Sequence, residues 1–206
     1  MRVIGDVHGL FDQYGLLCHR FKGETTVQIG DMGVGFPNGR NPTIKGDNYF
    51  FRGNHDNPAV ANSYGNCLGD YGLVSLKGEA PFFFVAGAWS IDKDLRIEGK
   101  SWWADEELSI ASLNAALDAY IDAKPKIMLT HECPYSVAKQ VLNRFALPGF
   151  KSDRQIYRTR TGDALQAMFE AHQPELWVFG HYHVDWEKVI NGTKFRCLNE
   201  LSHIAV

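Results

Sequence analysis

The feature that most constrains this chain is a recurrence. Five short apolar runs each close on polar side chains able to hold a metal ion or move a proton. Val3-Ile4 leads into Gly5-Asp6-Val7-His8-Gly9, Thr25–Ile29 stops at Gly30-Asp31, and Tyr49-Phe50-Phe51 delivers Arg52 and then Gly53-Asn54-His55-Asp56. Lys126–Thr130 ends at His131-Glu132-Cys133-Pro134, and Leu176–Phe179 ends at Gly180-His181-Tyr182-His183. Runs rich in β-branched and aromatic residues read as strands, and glycine followed by a charged or amide side chain is a poor way to continue one. Between the runs, Leu10, Tyr14, Leu17, Cys18 and Phe21 recur at the spacing of one helix face. A second helix is expected over Ala104–Ala123, with Leu113, Ala116, Leu117 and Tyr120 on one face and Pro125 as its stop. Helices are also expected over residues 135–147 and over Asp163–His172, the latter behind a Thr161 N-cap. Strands that alternate with helices imply an α/β fold, in which the strands' ends share one edge where ligands collect. Motifs up to 177 positions apart, from Asp6 to His183, are therefore expected to meet.

Some strands lack an intervening helix. Leu73–Leu76 and Phe82–Ala86 are one such pair, and Trp186–Ile190 with Lys194–Leu198 forms a hairpin around Asn191-Gly192. They imply antiparallel pieces, hence a mixed sheet or two sheets. Residues 33–47 carry four glycines and two prolines and read as a loop, as do residues 148–162 with Arg154, Arg158 and Arg160. The stretch from Gly87 to Trp103 mixes aromatic and charged residues without a period. No repeat, low-complexity tract or linker divides the chain, and 206 residues suit one domain over 1–206.

Composition narrows the setting. With 45% hydrophobic and 22% charged residues the chain has the make-up of a soluble globular protein. A net charge of -3 gives no global attraction to nucleic acid or anionic membrane, so neither is a favoured partner. Cys18, Cys67, Cys133 and Cys197 form no C-x-x-C pair and read as reduced thiols. No apolar run approaches a membrane span, and none precedes the first motif as a signal peptide requires. The expected location is the cytoplasm.

The motif residues supply two carboxylates, four or five imidazoles and one amide oxygen. Mixed nitrogen and oxygen donors suit Mn, Fe, Zn, Co or Ni, and the lack of cysteine argues against a structural zinc site. Seven ligands are too many for one ion and suit two ions sharing a bridge, for which the lone Asp31 carboxylate has the two oxygens needed. Asp6 and His8, two apart, can face one ion; His181 and His183 have the same spacing. Such bimetal centres suit in-line displacement at phosphorus.

In order and in kind, Gly5-Asp6-Val7-His8-Gly9, Gly30-Asp31, Gly53-Asn54-His55-Asp56, His131 and Gly180-His181-Tyr182-His183 resemble the motif series of the calcineurin-like metallophosphoesterases. The resemblance spans residues 5–183. It implies two mixed β-sheets in a sandwich flanked by helices, with two divalent ions, manganese first among them, at the strand ends. Carried over, Asp6, His8 and His183 hold one metal, Asn54, His131 and His181 hold the other, and Asp31 bridges. His55 matches the family's non-ligand histidine, which contacts the phosphate or protonates the leaving group. Arg52 matches an arginine that supports phosphate binding in the protein-phosphatase branch. The chain departs from that branch at Gly30-Asp31-Met32-Gly33-Val34-Gly35-Phe36, where Val34 replaces the aspartate that orients the His55 equivalent and no arginine follows. Asp56 stands where that branch has glutamate, and it is the adjacent candidate to orient His55.

The expected activity is phosphate-ester hydrolysis by a metal-bridging hydroxide, with Asn54, His55 and Arg52 stabilising the phosphoryl oxygens. A phosphomonoesterase is the first reading; a phosphodiesterase or nuclease is the alternative, and a non-catalytic scaffold comes last because no ligand is missing. Expected substrates are a phosphorylated small molecule, a phosphopeptide or a nucleotide. Trp89, with Trp102 and Trp103, reads either as an aromatic wall over the site or as packing. Arg154, Arg158 and Arg160 read either as a substrate-phosphate cluster or as a solvated loop. His19, His172 and His203 match no motif and are expected to be structural.

Overall fold

A computed structural model describes residues 1–37, 39–144 and 158–206. The elements run β1 (Arg2–Ile4), α1 (Phe11–Arg20), β2 (Thr26–Ile29), β3 (Asn48–Phe51), α2 (Pro58–Ala61), β4 (Tyr71–Val74) and β5 (Phe82–Val85). A 3-10 turn at Lys93–Leu95 follows, then α3 (Ile110–Ala123), β6 (Ile127–Thr130), α4 (Tyr135–Arg144), α5 (Arg160–Ala171), β7 (Leu176–Phe179), β8 (Trp186–Ile190), β9 (Thr193–Cys197) and β10 (His203–Ala205).

The strands form two mixed sheets. One has the order β10-β1-β2-β3 and the other β4-β5-β6-β7-β9-β8. Within the first, β1, β2 and β3 are parallel and β10 is antiparallel to β1. Within the second, β5, β6, β7 and β9 are parallel, with β4 and β8 as antiparallel edges. The two sheets and their flanking helices are the expected architecture.

The runs are nearly all apolar because both faces of the central strands are covered. Along β5, Phe82 and Phe84 face an interlayer core with Val3, Val27, Ile29, Phe51, Leu129 and Val178. Phe83 and Val85, on the alternate face, pack with Leu113, Tyr120, Leu165 and Phe169 of α3 and α5. The outer face of the smaller sheet sets Ile4 and Phe50 against Tyr14 of α1 and Ala61 of α2. Three packed layers thus hold the parallel strands rigidly in register, and their C-terminal ends open on one edge.

Several local expectations move. The helix expected over Ala104–Ala123 starts only at Ile110, where Ser109 accepts from the Ser112 N–H, and it ends at Lys124 in the left-handed region (φ 43°). Thr159, rather than Thr161, caps α5 by accepting from the Gly162 N–H. Thr161 instead donates its hydroxyl and its N–H to the Glu107 carboxylate. The β8–β9 hairpin turns through Asn191 and Gly192, both at positive φ, as a two-residue turn requires. All four cysteines are free. Among the described residues, no helix is long and apolar enough to cross a membrane.

Candidate metal centre

The strand-end motifs converge. Asp6, His8, Asp31 and His183 bring one donor atom each to within 4.8 Å of one another, and so do Asp31, His131 and His181. Asp31 belongs to both groups. The backbone is forced to make this possible: His8, Asp31, His181 and His183 all sit at positive φ, between 47° and 69°. Among the described residues only three other non-glycine positions do so, and strain of this kind concentrates where geometry is set for function. The flanking glycines make room. A Cβ on Gly53 would strike Asp31 and His131, and one on Gly180 would strike Asp6.

Hydrogen bonds fix which atoms face inward. His131 is fully buried and its Nδ1 lies 3.0 Å from the Ile29 carbonyl, which can only accept. Nδ1 therefore carries a proton, and Nε2 faces Asp31 Oδ1 at 3.1 Å and Asn54 Oδ1 at 3.0 Å. Asn54 is oriented in turn. Its Nδ2 donates to Ser90 Oγ at 3.0 Å, and Ser90 donates its hydroxyl to Glu106 Oε2 at 2.5 Å. The amide oxygen is thereby turned toward His131 and toward His181 Nδ1, also 3.0 Å away. Asp31 Oδ1, Asn54 Oδ1, His131 Nε2 and His181 Nδ1 all offer electron pairs to one another here, so the cluster needs a proton or a cation among them. In the second group His8 Nε2 lies 2.9 Å from His183 Nε2, which is 3.2 Å from Asp6 Oδ2. His8 Nε2 also lies 3.5 Å from Asp31 Oδ2.

The electrostatics follow from this crowding. Burial opposes charge on His131, yet Asp31 and Asp6 hold its imidazolium up to about 10. Burial also works against the Asp31 and Asp6 carboxylates, but the surrounding histidines keep both below the ordinary aspartate value. Burial, aided by the charge on His131, pushes His181 down to about 3. A proton on His131 is the electrostatic stand-in for a cation among these groups, and the donor set of carboxylates, imidazoles and one amide oxygen fits divalent ions.

The remaining candidates divide. His55 stands beside the donors, its ring 4.8 Å from that of His8 and its backbone N–H 2.6 Å from Asp31 Oδ1. Burial and the nearby cation of Arg96 lower it to about 4, so it is neutral at pH 7. Asp56 does not orient that ring: its buried carboxylate accepts from the N–H groups of Met32, Gly33, Val34 and Gly53. It clamps the turn that carries Asp31. Arg52 is also buried, with Nε 3.1 Å from Asp70 and Nη1 donating 2.8 Å to the Glu106 carbonyl. It braces the ends of β3 and β4 against the turn before α3.

Trp89 lines a small cavity of about 80 Å³ beside His181, with Glu132 and Tyr135. Trp103 is buried and packs edge-on against Phe36, with ring centroids 5.3 Å apart. Arg158 is exposed and paired with Asp163 at 2.9 Å, while Arg160 opens α5 and lies 3.5 Å from Glu107. Arg154 lies outside the described residues. Sequence reasoning missed Ser90, Glu106 and Arg96, which all belong to the excursion after β5. The available signal was Gly87, which follows the apolar run of β5, a strand parallel to β6, as the motif glycines follow theirs.

Fold and site together define a two-sheet α/β scaffold with a histidine- and carboxylate-rich cluster at the strand ends. The family model for calcineurin-like phosphoesterases matches residues 2–185, and the chain belongs to that family of metal-dependent phosphoesterases. No curated protein matches it. Among solved structures, TT1561 of Thermus thermophilus is similar at a TM-score of 0.52 and 13% identity, over 98% of this chain and 90% of that one. The phosphopantetheinyl hydrolase PptH of Mycobacterium tuberculosis is similar at 0.51 and 14% identity, over 97% and 89%. At such identities the likeness is one of fold.

Proposed function

We propose that the chain is a dimetal phosphomonoesterase in which Asp6, His8 and His183 hold one divalent ion, Asn54, His131 and His181 hold a second, and Asp31 serves both. The observation that carries this is the pair of donor groups meeting at the Asp31 carboxylate. Two divalent ions there, manganese being our choice, supply Lewis acidity that activates water and neutralises phosphoryl oxygens. The chain's own residues do the rest. Asp31, fixed by the His55 N–H, keeps the two halves of the site in register. Ser90 and Glu106 hold the Asn54 amide in the one orientation that turns its oxygen inward. His55, outside the two donor groups, stands with its ring beside His8, where it would meet a phosphoryl oxygen or the leaving group. A phosphorylated small molecule, phosphopeptide or nucleotide suits such a site, and four free thiols suit a cytoplasmic setting.

A phosphodiesterase is the second reading, favoured by one observation: cavities flank the centre on both sides. One of about 300 Å³ is lined by His8, Gly33, Phe36 and His55, and the smaller one lies beside His181. A diester has two groups to seat and a monoester one. The test is hydrolysis of p-nitrophenyl phosphate and bis-p-nitrophenyl phosphate with Mn²⁺, by the wild type and by Asp31→Asn. Loss of activity in the variant is expected; a variant as active as the wild type overturns the reading. Faster turnover of the monoester is expected, and a strong preference for the diester reverses that assignment.

A further inference from the structure

We propose that Arg96, carried on the excursion after β5, grips the phosphoryl group of the substrate beside His55. This rests on the phosphoesterase reading above and names the residue that would supply its anion-binding cation. The arginine next to the Asn-His pair in sequence, Arg52, is committed elsewhere. Its side chain is 3% exposed, and two of its nitrogens are taken by Asp70 and the Glu106 carbonyl. The fold uses it as a strut.

Arg96 is placed differently. Its Nη2 touches both ring nitrogens of His55, at 3.0 Å from Nδ1 and closer still to Nε2. His55 is itself fixed to the shared Asp31 carboxylate through its backbone N–H. The guanidinium therefore stands one residue away from the donor groups. It is held there from behind: Asp92 lies 2.9 Å from Nη2, and the Ser101 carbonyl accepts from Nη1 at 3.2 Å. Ser101 Oγ in turn accepts from the Ile97 N–H, closing the turn that presents the arginine. The arrangement is inverted from that of an ordinary surface ion pair, since Arg96 is 9% exposed and its partner Asp92 is 44% exposed. The cation is the inner member, and what it meets inside is an imidazole ring rather than a second carboxylate. Nη2 spends its two N–H groups on His55 and Asp92 and Nη1 spends one on the Ser101 carbonyl, so two of the guanidinium's five N–H donors remain for a ligand. A planar fork of donors is matched to two oxygens of a phosphoryl group, and charge-assisted bonds of this kind are about twice as strong as neutral ones. The cavity lined by His8, Phe36 and Arg40 also reaches His55, the residue Arg96 touches, and gives the ester substituent a place to lie.

The test uses Mn²⁺-loaded wild type, Arg96→Ala and Arg96→Lys. Steady-state hydrolysis of p-nitrophenyl phosphate, inhibition by inorganic phosphate, bound manganese and the thermal midpoint are measured on each. Arg96→Ala is expected to raise the phosphate inhibition constant by about tenfold or more and to lower kcat/KM by roughly 10²-fold, with manganese content and midpoint unchanged. Arg96→Lys, which keeps the charge and loses the fork, is expected to recover only part of either loss. Phosphate inhibition and kcat/KM within about twofold of wild type in Arg96→Ala overturn the proposal and leave the phosphoesterase reading standing. A wild type that hydrolyses neither ester and is blind to phosphate overturns both. Should Arg96→Ala lose its fold, Arg96→Lys decides: a raised inhibition constant supports the grip and a wild-type constant refutes it.

Discussion

Asp56→Asn should destabilise the protein strongly although it changes one atom and touches no proposed ligand. The Asp56 carboxylate is wholly buried, and each oxygen receives two backbone N–H groups: Gly33 at 2.7 Å and Val34 at 3.0 Å on Oδ1, Gly53 at 2.8 Å and Met32 at 3.2 Å on Oδ2. Whichever way an asparagine amide is turned, its NH₂ faces two donors that had an acceptor. Hydrogen bonds to a charged group contribute about 1.5–3 kcal/mol each, so losing two costs roughly 3–6 kcal/mol. Part of this is offset, because burial and the nearby charge of Asp31 make the ionised Asp56 itself costly and raise its pKa. A net loss of about 2–4 kcal/mol remains, a large share of a typical domain's total stability. For a chain of this size that corresponds to a fall of roughly 4–16 °C in Tm. The assay is urea and thermal unfolding in excess chelator, so that metal binding does not contribute to the difference. A variant within about 0.5 kcal/mol of wild type would show that Asp56 is not the clamp of the Asp31 turn.

Three further outcomes follow from the same geometry. Ser90→Ala or Glu106→Gln removes the chain that turns the Asn54 oxygen inward, and should weaken Mn²⁺ binding by about 10–100-fold in a calorimetric titration; an unchanged affinity would refute the orienting role. Burial raises the Glu132 carboxyl to about 8, above its ordinary 4.5. The folded protein therefore holds this proton more tightly, so the stabilising contribution is full below about 4.5 and is lost as pH rises through about 8; Glu132→Gln should flatten that part of the stability–pH curve, and parallel curves would contradict it. Phe84→Ala, which empties a fully packed place between the sheets, should cost about 3–5 kcal/mol in chemical unfolding, and a loss below about 1 kcal/mol would show that the interlayer core closes over the gap.

How much of this was legible in the sequence depends on the range of the forces involved. The parallel strands declared themselves because both faces of each are buried, leaving apolar runs cut off by glycine and a polar side chain. Topology brings those ends to one edge, while the grouping of Asp6, His8 and His183 apart from His131 and His181 was legible only through the resemblance to the calcineurin-like family. The rest turned on partners that no local pattern announces. Asp56 reads as one more polar side chain in a catalytic row, and its clamping role is visible only when the N–H groups of residues 32–34 are brought to it from 22 to 24 positions away. Thr159 and Thr161 are equally good caps in sequence, and Glu107 decided between them by taking the second. β10 is three residues long and pairs with β1 at the edge of its sheet, too short to carry an alternation. Arg96 lay in an aperiodic stretch whose order comes from His55, Asp92 and Ser101, not from its own spacing.

The central claim is that the two donor groups hold two ions through one shared carboxylate. Calorimetric titration of metal-free protein with Mn²⁺, checked by elemental analysis, tests it directly when wild type and Asp31→Asn are run side by side. Two ions per wild-type chain are expected, with at most one, more weakly held, in the variant. One ion or none in the wild type, or two undiminished in Asp31→Asn, would contradict the account.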